Sequence, residues 1–146
     1  MDKNANLVFI DFETFNVNLN FFSNRPWQVA MLKVKKGQTV DSFDEMIKWD
    51  CDLSISEEAK KITNFSQKKF DKTAKHESEV FDDVYNWLDS CDYIVGHNIL
   101  GFDMYLMRGW CKIHNKPYNH FFEKSIDTLS IARGLKSGHY FKEQES

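Results

Sequence analysis

A chain of 146 residues with a formal charge of −3, 42% hydrophobic and 15% aromatic, is long enough for one domain with a real core, and its 13 phenylalanines exclude disorder as a description of the whole. The mild acidity excludes a protein that coats nucleic acid by bulk charge, but not an enzyme that grips one strand end through local contacts. No apolar run reaches membrane-span length, residues 1–6 are too polar for a secretory leader, and Cys51, Cys91 and Cys111 are too scattered for a zinc site or a disulfide framework, so a reducing cytosol fits.

The first element is announced by Leu7-Val8-Phe9-Ile10, an unbroken apolar run, followed by Asp11-Phe12-Glu13-Thr14. The run predicts a strand buried on both faces, as in the middle of an α/β sheet. Side chains alternate along a strand, so Asp11 and Glu13 share one side and Phe12 takes the other. Two carboxylates at the end of a buried strand repel each other and lose hydration, which raises their pKa. A divalent cation relieves both costs, because the oxygens become ligands of a hard metal ion. The plainer alternative is a strand that ends with both acids in water.

Residues 15–26 read as a loop rich in Asn and Phe. A strand follows over 27–34. Lys35-Lys36-Gly37-Gln38 is a turn signal, and 39–49 pairs back as a hairpin. Ser56 can cap a helix whose first turn holds Glu57 and Glu58. Lysines at 60, 61, 68, 69, 72 and 75 surround Ile62, Phe65 and Phe70. They are either a solvated surface with a few anchors or a local patch for phosphates. Val80, Val84, Trp87 and Leu88 predict an amphipathic helix over 78–89. A short strand over 93–96 and a helix over 102–113 come next, the helix ending at Asn115-Lys116-Pro117. Phe121, Phe122 and Ile126 approach a last short strand, and a helix over 129–134 stops at Gly134. Trp27, Trp87 and Trp110 read as core, with Trp49 open. Strands alternating with helices after a hairpin predict a mixed α/β sheet whose ligands gather at the carboxyl ends of the strands.

The stretch Ile94-Val95-Gly96-His97-Asn98-Ile99-Leu100-Gly101-Phe102-Asp103 carries the third acid. A strand runs into a Gly-His-Asn turn and a helix begins near Asp103, where the helix N-terminus would stabilise the charged carboxylate. If this strand neighbours the first, Asp103 faces Asp11 and Glu13, and three converging carboxylates point to divalent metal. His97 reads as a hydrogen-bonded turn residue. Asp127 reads as a cap for the helix after it, with a fourth acid as the alternative.

Asp11-x-Glu13 followed by Asn98-x-x-x-Phe102-Asp103 resembles the first two motifs of the DEDD (DnaQ-like) 3′–5′ exonuclease superfamily, and Ser125-Ile126-Asp127-Thr128-Leu129 is similar to a stretch found further along that family. The Ile-Val-Gly-His-Asn and Ile-Asp-Thr-Leu pieces look most like proofreading domains of phage-type DNA polymerases and their stand-alone relatives. The resemblance implies an RNase H-like domain over 1–136, an antiparallel hairpin plus parallel strands flanked by helices, C-terminally incomplete, with a polar tail over 137–146. It implies two Mg²⁺ or Mn²⁺ ions held by Asp11, Glu13 and Asp103, which would be both the catalytic and the metal-binding set. Thr14, Phe15 and Asn98 would meet the substrate. Phe65 would stack or wedge at the terminal bases, with a buried loop anchor as its alternative. The implied activity is hydrolysis at single-stranded DNA 3′ ends, in proofreading or end processing, in bacterial or phage-infected cytoplasm and away from membranes. A polymerase domain or other replication protein is the implied partner. The rivals are an inactive or truncated nucleic-acid-binding module of the same fold and an RNA 3′-trimming exoribonuclease.

The family's third motif, a His or Tyr shortly before a fourth Asp, has no convincing counterpart. Beyond Asp127 lie His139, Tyr140, Glu143 and Glu145 but no aspartate. The expectation is a chain that by itself binds metal weakly and degrades oligonucleotides very slowly or not at all.

Overall fold

A computed structural model describes residues 3–16, 20–21, 24–51, 57 and 65–137. Strands β1 (Asn6–Thr14), β2 (Pro26–Lys35) and β3 (Gln38–Lys48) form an antiparallel meander. Helix α1 (Gln67–Thr73) and the two-residue strand β4 (Lys75–His76) lead into α2 (Glu77–Ser90). Strand β5 (Tyr93–Gly96), a π-helical turn (Ile99–Asp103), α3 (Met104–Ile113), α4 (Asn119–Glu123), β6 (Ser125–Asp127) and α5 (Thr128–Ser137) complete the described chain. The sheet order is β4-β3-β2-β1-β5-β6, with β5 parallel to β1 and β6 parallel to β5. This is the predicted RNase H-like mixed sheet, a hairpin plus parallel strands flanked by helices. Strand β1 stands where its antiparallel half meets its parallel half.

Local chemistry explains most boundaries. Ser66 accepts from the Lys69 N–H at the start of α1. His76 accepts from Ser78 N–H at the start of α2, whose first turn carries Glu77 and Glu79. The lysines of α1 are exposed while Phe65 and Phe70 pack inward as anchors, an arrangement that fits a solvated face and a phosphate patch alike; Lys60 and Lys61 lie outside the described residues, as does the Ser56 cap. Sequence reading missed β4 and α4, both too short to show a period, and placed the last helix stop at Gly134, whereas α5 runs on to Ser137.

The expectation of a strand buried on both faces is corrected. Val8, Ile10 and Phe12 are buried under α2 and α3, but Phe9 is 39% exposed and its cross-strand neighbour Leu32 is 44% exposed. No helix among the described residues covers that second face. The covered face closes around Trp110, whose ring meets Phe12, Trp49 and Phe81 at 6.3, 5.4 and 5.3 Å. Its indole N–H donates to Glu77 Oε2 at 2.7 Å, and His114 Nε2 lies 2.7 Å from the same oxygen. Trp27 joins this core and Trp49 is buried with its N–H on the Pro26 carbonyl, while Trp87 is half-buried against Phe43.

Candidate active site

Strands β1, β5 and β6 run parallel, so their carboxyl ends share one edge of the sheet. That edge collects Asp11 and Glu13 from β1, Asp127 from β6 and, through the turn after β5, Asp103. Strand β5 pairs with β1 only from Leu7 to Phe9 and then leaves. The departure needs Gly96: a Cβ there would stand 2.9 Å from the Ile10 carbonyl oxygen and 2.1 Å from Ile99 Cγ2. Asn98 takes the left-handed conformation, with φ of 57°, and reverses the chain into the π-helical turn.

This turn delivers Asp103 against β1, where the Phe12 backbone N–H donates to its carboxylate. Asp103 is only 4% exposed. Burial, then Asp11, Glu13 and Asp127 in that order, push its pKa up to about 8. The expectation that a helix N-terminus stabilises the charged form is therefore corrected: Asp103 makes no capping hydrogen bond to α3, and desolvation beside three acids dominates. Asp11 and Glu13 lie on one side of β1 and hydrogen-bond each other. Both pKa values are raised by desolvation; the bond to Glu13 works against the rise at Asp11, and the charge of Asp11 and the same bond add to it at Glu13. Asp11, Glu13 and Asp103 thus share one edge, with Asp127 behind them. Their oxygens are the donor set that hard divalent ions take. Among the described residues, no three His, Cys, Asp or Glu side chains form a ready-made metal-binding group.

Asp127 does more than cap. Its Oδ1 accepts from Leu129 N–H at 2.9 Å, the expected helix cap, and also from Asn98 N–H at 2.8 Å. Its Oδ2 accepts from Leu100 N–H at 3.2 Å. With both oxygens committed to the backbone of the turn that carries Asp103, Asp127 acts on the site as a brace. Local sequence signals the cap; the two bonds across β5 and β6 have no local signal. His97 Nδ1 lies 3.2 Å from Thr128 Oγ1, a turn contact.

The remaining candidates gather beside β1. Thr14 is buried and its hydroxyl donates to the Asn16 carbonyl. Phe15 is buried, and its N–H donates to the Arg25 carbonyl at 3.1 Å. Phe65 packs edge-on against Trp27 at 4.8 Å, the anchor geometry, yet Phe15 and Phe65 both line a hollow of about 180 Å³ with Lys48, Trp49 and Phe70. Asn98 is exposed in the turn after β5, its N–H on Asp127 Oδ1. The structure therefore brings Phe15 and Phe65 to one hollow, with Thr14 next to Phe15 in the chain, and holds Asn98 in the turn that carries Asp103. His139 and Glu143 lie outside the described residues.

A mixed sheet of this order, with acids at the carboxyl edge of its parallel strands, defines an RNase H-like domain of the nuclease type. The model of the Exonuclease family, RNase_T, matches residues 8–142, and the chain belongs to that family, within the DnaQ-like superfamily its motifs resemble. The match reaches into the 137–146 stretch read as a tail. Among solved structures, the metal-free E. coli ExoI–ssDNA complex superposes with a TM-score of 0.79 at 17% identity, over 90% of this chain and 30% of that one. The zinc-ion-bound form of the same complex gives 0.78 at 18% identity, over 90% and 30%. A product-bound exonuclease I gives 0.80 at 17% identity, over 91% and 32%. At such identities the likeness is one of fold, and this chain spans about a third or less of those proteins' length. A search of curated proteins gives no match. No helix among the described residues is long and apolar enough to cross a membrane.

Proposed function

We propose that this chain is a divalent-metal-dependent 3′–5′ exonuclease domain acting on single-stranded DNA ends, in proofreading or end processing. One observation carries the reading: the buried Asp103 carboxylate is set beside Asp11 and Glu13 with a single Phe12 N–H for compensation, and its pKa is driven to about 8. A structural ion pair would have placed a lysine or arginine there. Asp11, Glu13 and Asp103 would hold the metal, Mg²⁺ or Mn²⁺, two ions in this family's chemistry. When bound, such ions activate a water and neutralise charge on the leaving 3′ oxygen. The chain's own contribution is placement. β1 presents Asp11 and Glu13, and the turn braced by Asp127 brings up Asp103. The Thr14, Phe15 and Phe65 flank offers a polar and aromatic wall for a terminal nucleotide, since stacking on aromatic rings tolerates any base.

The test is release of mononucleotides from a labelled strand in Mg²⁺ and in Mn²⁺. Slow release from the 3′ end, lost in Asp11→Ala, is expected; release from the 5′ end, or equal rates for Asp11→Ala, overturns the reading. Paired DNA and RNA strands in the same assay separate deoxyribonuclease from exoribonuclease. A second reading, a strand-binding module without turnover, is favoured by the lack of a ready-made three-ligand group among the described residues. Strand binding with no release in either metal selects it.

A further inference from the structure

The carboxylate edge leaves one built feature of the molecule unused. Between the connection after β1 and the outer face of α3 lies a hollow of about 480 Å³, lined by Phe21, Arg25, Tyr105, Arg108, Lys112 and Ile113 among others. That volume falls within the roughly 300–1,000 Å³ of small-molecule sites. Tyr105, Arg108 and Lys112 recur at helical spacing on one side of α3, opposite Met104, Met107, Trp110 and Cys111, which are buried. The hollow is therefore basic and aromatic by sequence as well as by shape.

Its walls are fixed in advance. Arg25 Nε donates to the Phe21 carbonyl at 3.0 Å, and the guanidinium lies 5.1 Å from the Phe21 ring centre and 4.9 Å from that of Trp49. Phe21 in turn lies where only a glycine leaves room: a Cβ on Gly109 would stand 2.6 Å from its ring. A glycine inside a helix costs stability relative to alanine. Here that cost admits the ring forming one wall. The Arg108 guanidinium lies 5.8 Å from the Tyr118 ring centre. None of Arg25, Arg108 and Lys112 forms an ion pair with a carboxylate among the described residues, so three positive charges line one cavity whose described lining holds no acid. Tyr105 is 43% exposed and held edge-on by Phe122 at 5.9 Å, leaving ring surface open.

Both walls begin at the carboxylate edge. Tyr105 stands two residues beyond Asp103, and Arg25 immediately precedes Pro26, which pairs with Thr14 beside Glu13. From there α3 leads away from the acids. We propose that this hollow binds an unpaired nucleotide upstream of the strand end, with its base against Tyr105, Phe21 and Ile113 and its phosphates on Arg25, Arg108 and Lys112. The proposal rests on the reading that a strand end reaches the carboxylates, and adds where the strand goes next. A duplex is excluded because its base faces are already stacked.

The test is fluorescence anisotropy of the full chain with a labelled oligothymidylate in EDTA, so that no turnover intervenes, across a series of salt concentrations. The double variant Arg108→Gln/Lys112→Gln should bind about tenfold more weakly at low salt, with a salt slope shallower by about 0.7 for each phosphate no longer neutralised. Tyr105→Ala should weaken the oligothymidylate but leave a labelled polyglutamate unchanged. Gly109→Ala, which displaces Phe21, should weaken the oligothymidylate as well. Unchanged affinity and slope in the double variant overturn the proposal, as does an equal loss for polyglutamate, which makes the hollow a general anion patch. Variants that bind like the wild type while the wild type still trims 3′ ends remove the hollow alone. The expected binding losses with no trimming by the wild type remove the exonuclease reading and leave the hollow.

Discussion

Asp103 illustrates how far one residue's chemistry depends on its neighbours across the sheet. In an unfolded chain its carboxyl ionises near 3.8; in the folded chain, burial and the acids around it raise that to about 8. The folded state then holds the proton more tightly than the unfolded state, so this residue's contribution to stability is greatest at low pH. It is lost as pH rises from about 4 through about 8, an effect on the order of a few kcal/mol. In EDTA, the thermal midpoint is expected to fall between pH 5 and pH 8, and Asp103→Asn should flatten that part of the slope. Adding Mn²⁺ at pH 8 should restore the wild type and not the variant, because only an ionised carboxylate gains by binding the ion. A wild-type midpoint that rises over this window, with the variant following it, would contradict the assignment. Sequence alone placed Asp103 near a helix start and inferred a stabilised charge. The opposite holds because the carboxyl is buried, and after that because three carboxylates from β1 and β6 stand beside it.

At the scale of elements, Asp127 joins β6, the turn after β5 and α5 through three backbone N–H groups. Strand β6 has three residues and β5 four, so neither holds the other through its ladder alone. Asp127→Ala leaves those donors without their acceptor and is expected to cost about 1–3 kcal/mol in urea unfolding. It should also weaken Mn²⁺ binding measured by calorimetry, because the turn that presents Asp103 loosens. Asp127→Asn should recover part of both, since its amide oxygen still accepts two of the three bonds while its NH₂ faces a donor. Metal affinity unchanged in Asp127→Ala would show that the turn holds its shape without the brace. The longer elements were readable one by one. The strands at 27–34 and 39–49 and the helix at 78–89 each show a sustained period or turn signal, and the observed elements differ only at their ends. The Glu77, Trp110 and His114 cluster was not readable, since it joins α2 to α3 through side chains 33 and 37 residues apart.

For the molecule as a whole, the asymmetry of the sheet is the dominant fact. Ile10 packs under α2 and α3, whereas Leu32 on the opposite face lies beside Phe9 and Asp11 in a broad open hollow. Truncating each therefore has different consequences. Ile10→Ala is expected to cost about 2–5 kcal/mol, and Leu32→Ala to stay within about 0.5 kcal/mol, both by chemical denaturation. Similar losses for the two would mean that the second face is also packed in solution. What the sequence determined by itself was local. The alternation at Asp11 and Glu13 put two acids on one side of a strand, the turn at Gly96-His97-Asn98 put a third acid after another strand, and motif order pointed to the family. Only the tertiary structure decided which face of β1 was covered, that burial and its neighbours push the Asp103 carboxyl toward its neutral form, and that Asp127 braces the turn. Each of these depends on which strand lies beside which, and strand order arises from contacts between residues far apart in the chain, whose spacing along the sequence carries no record of their spacing in the fold.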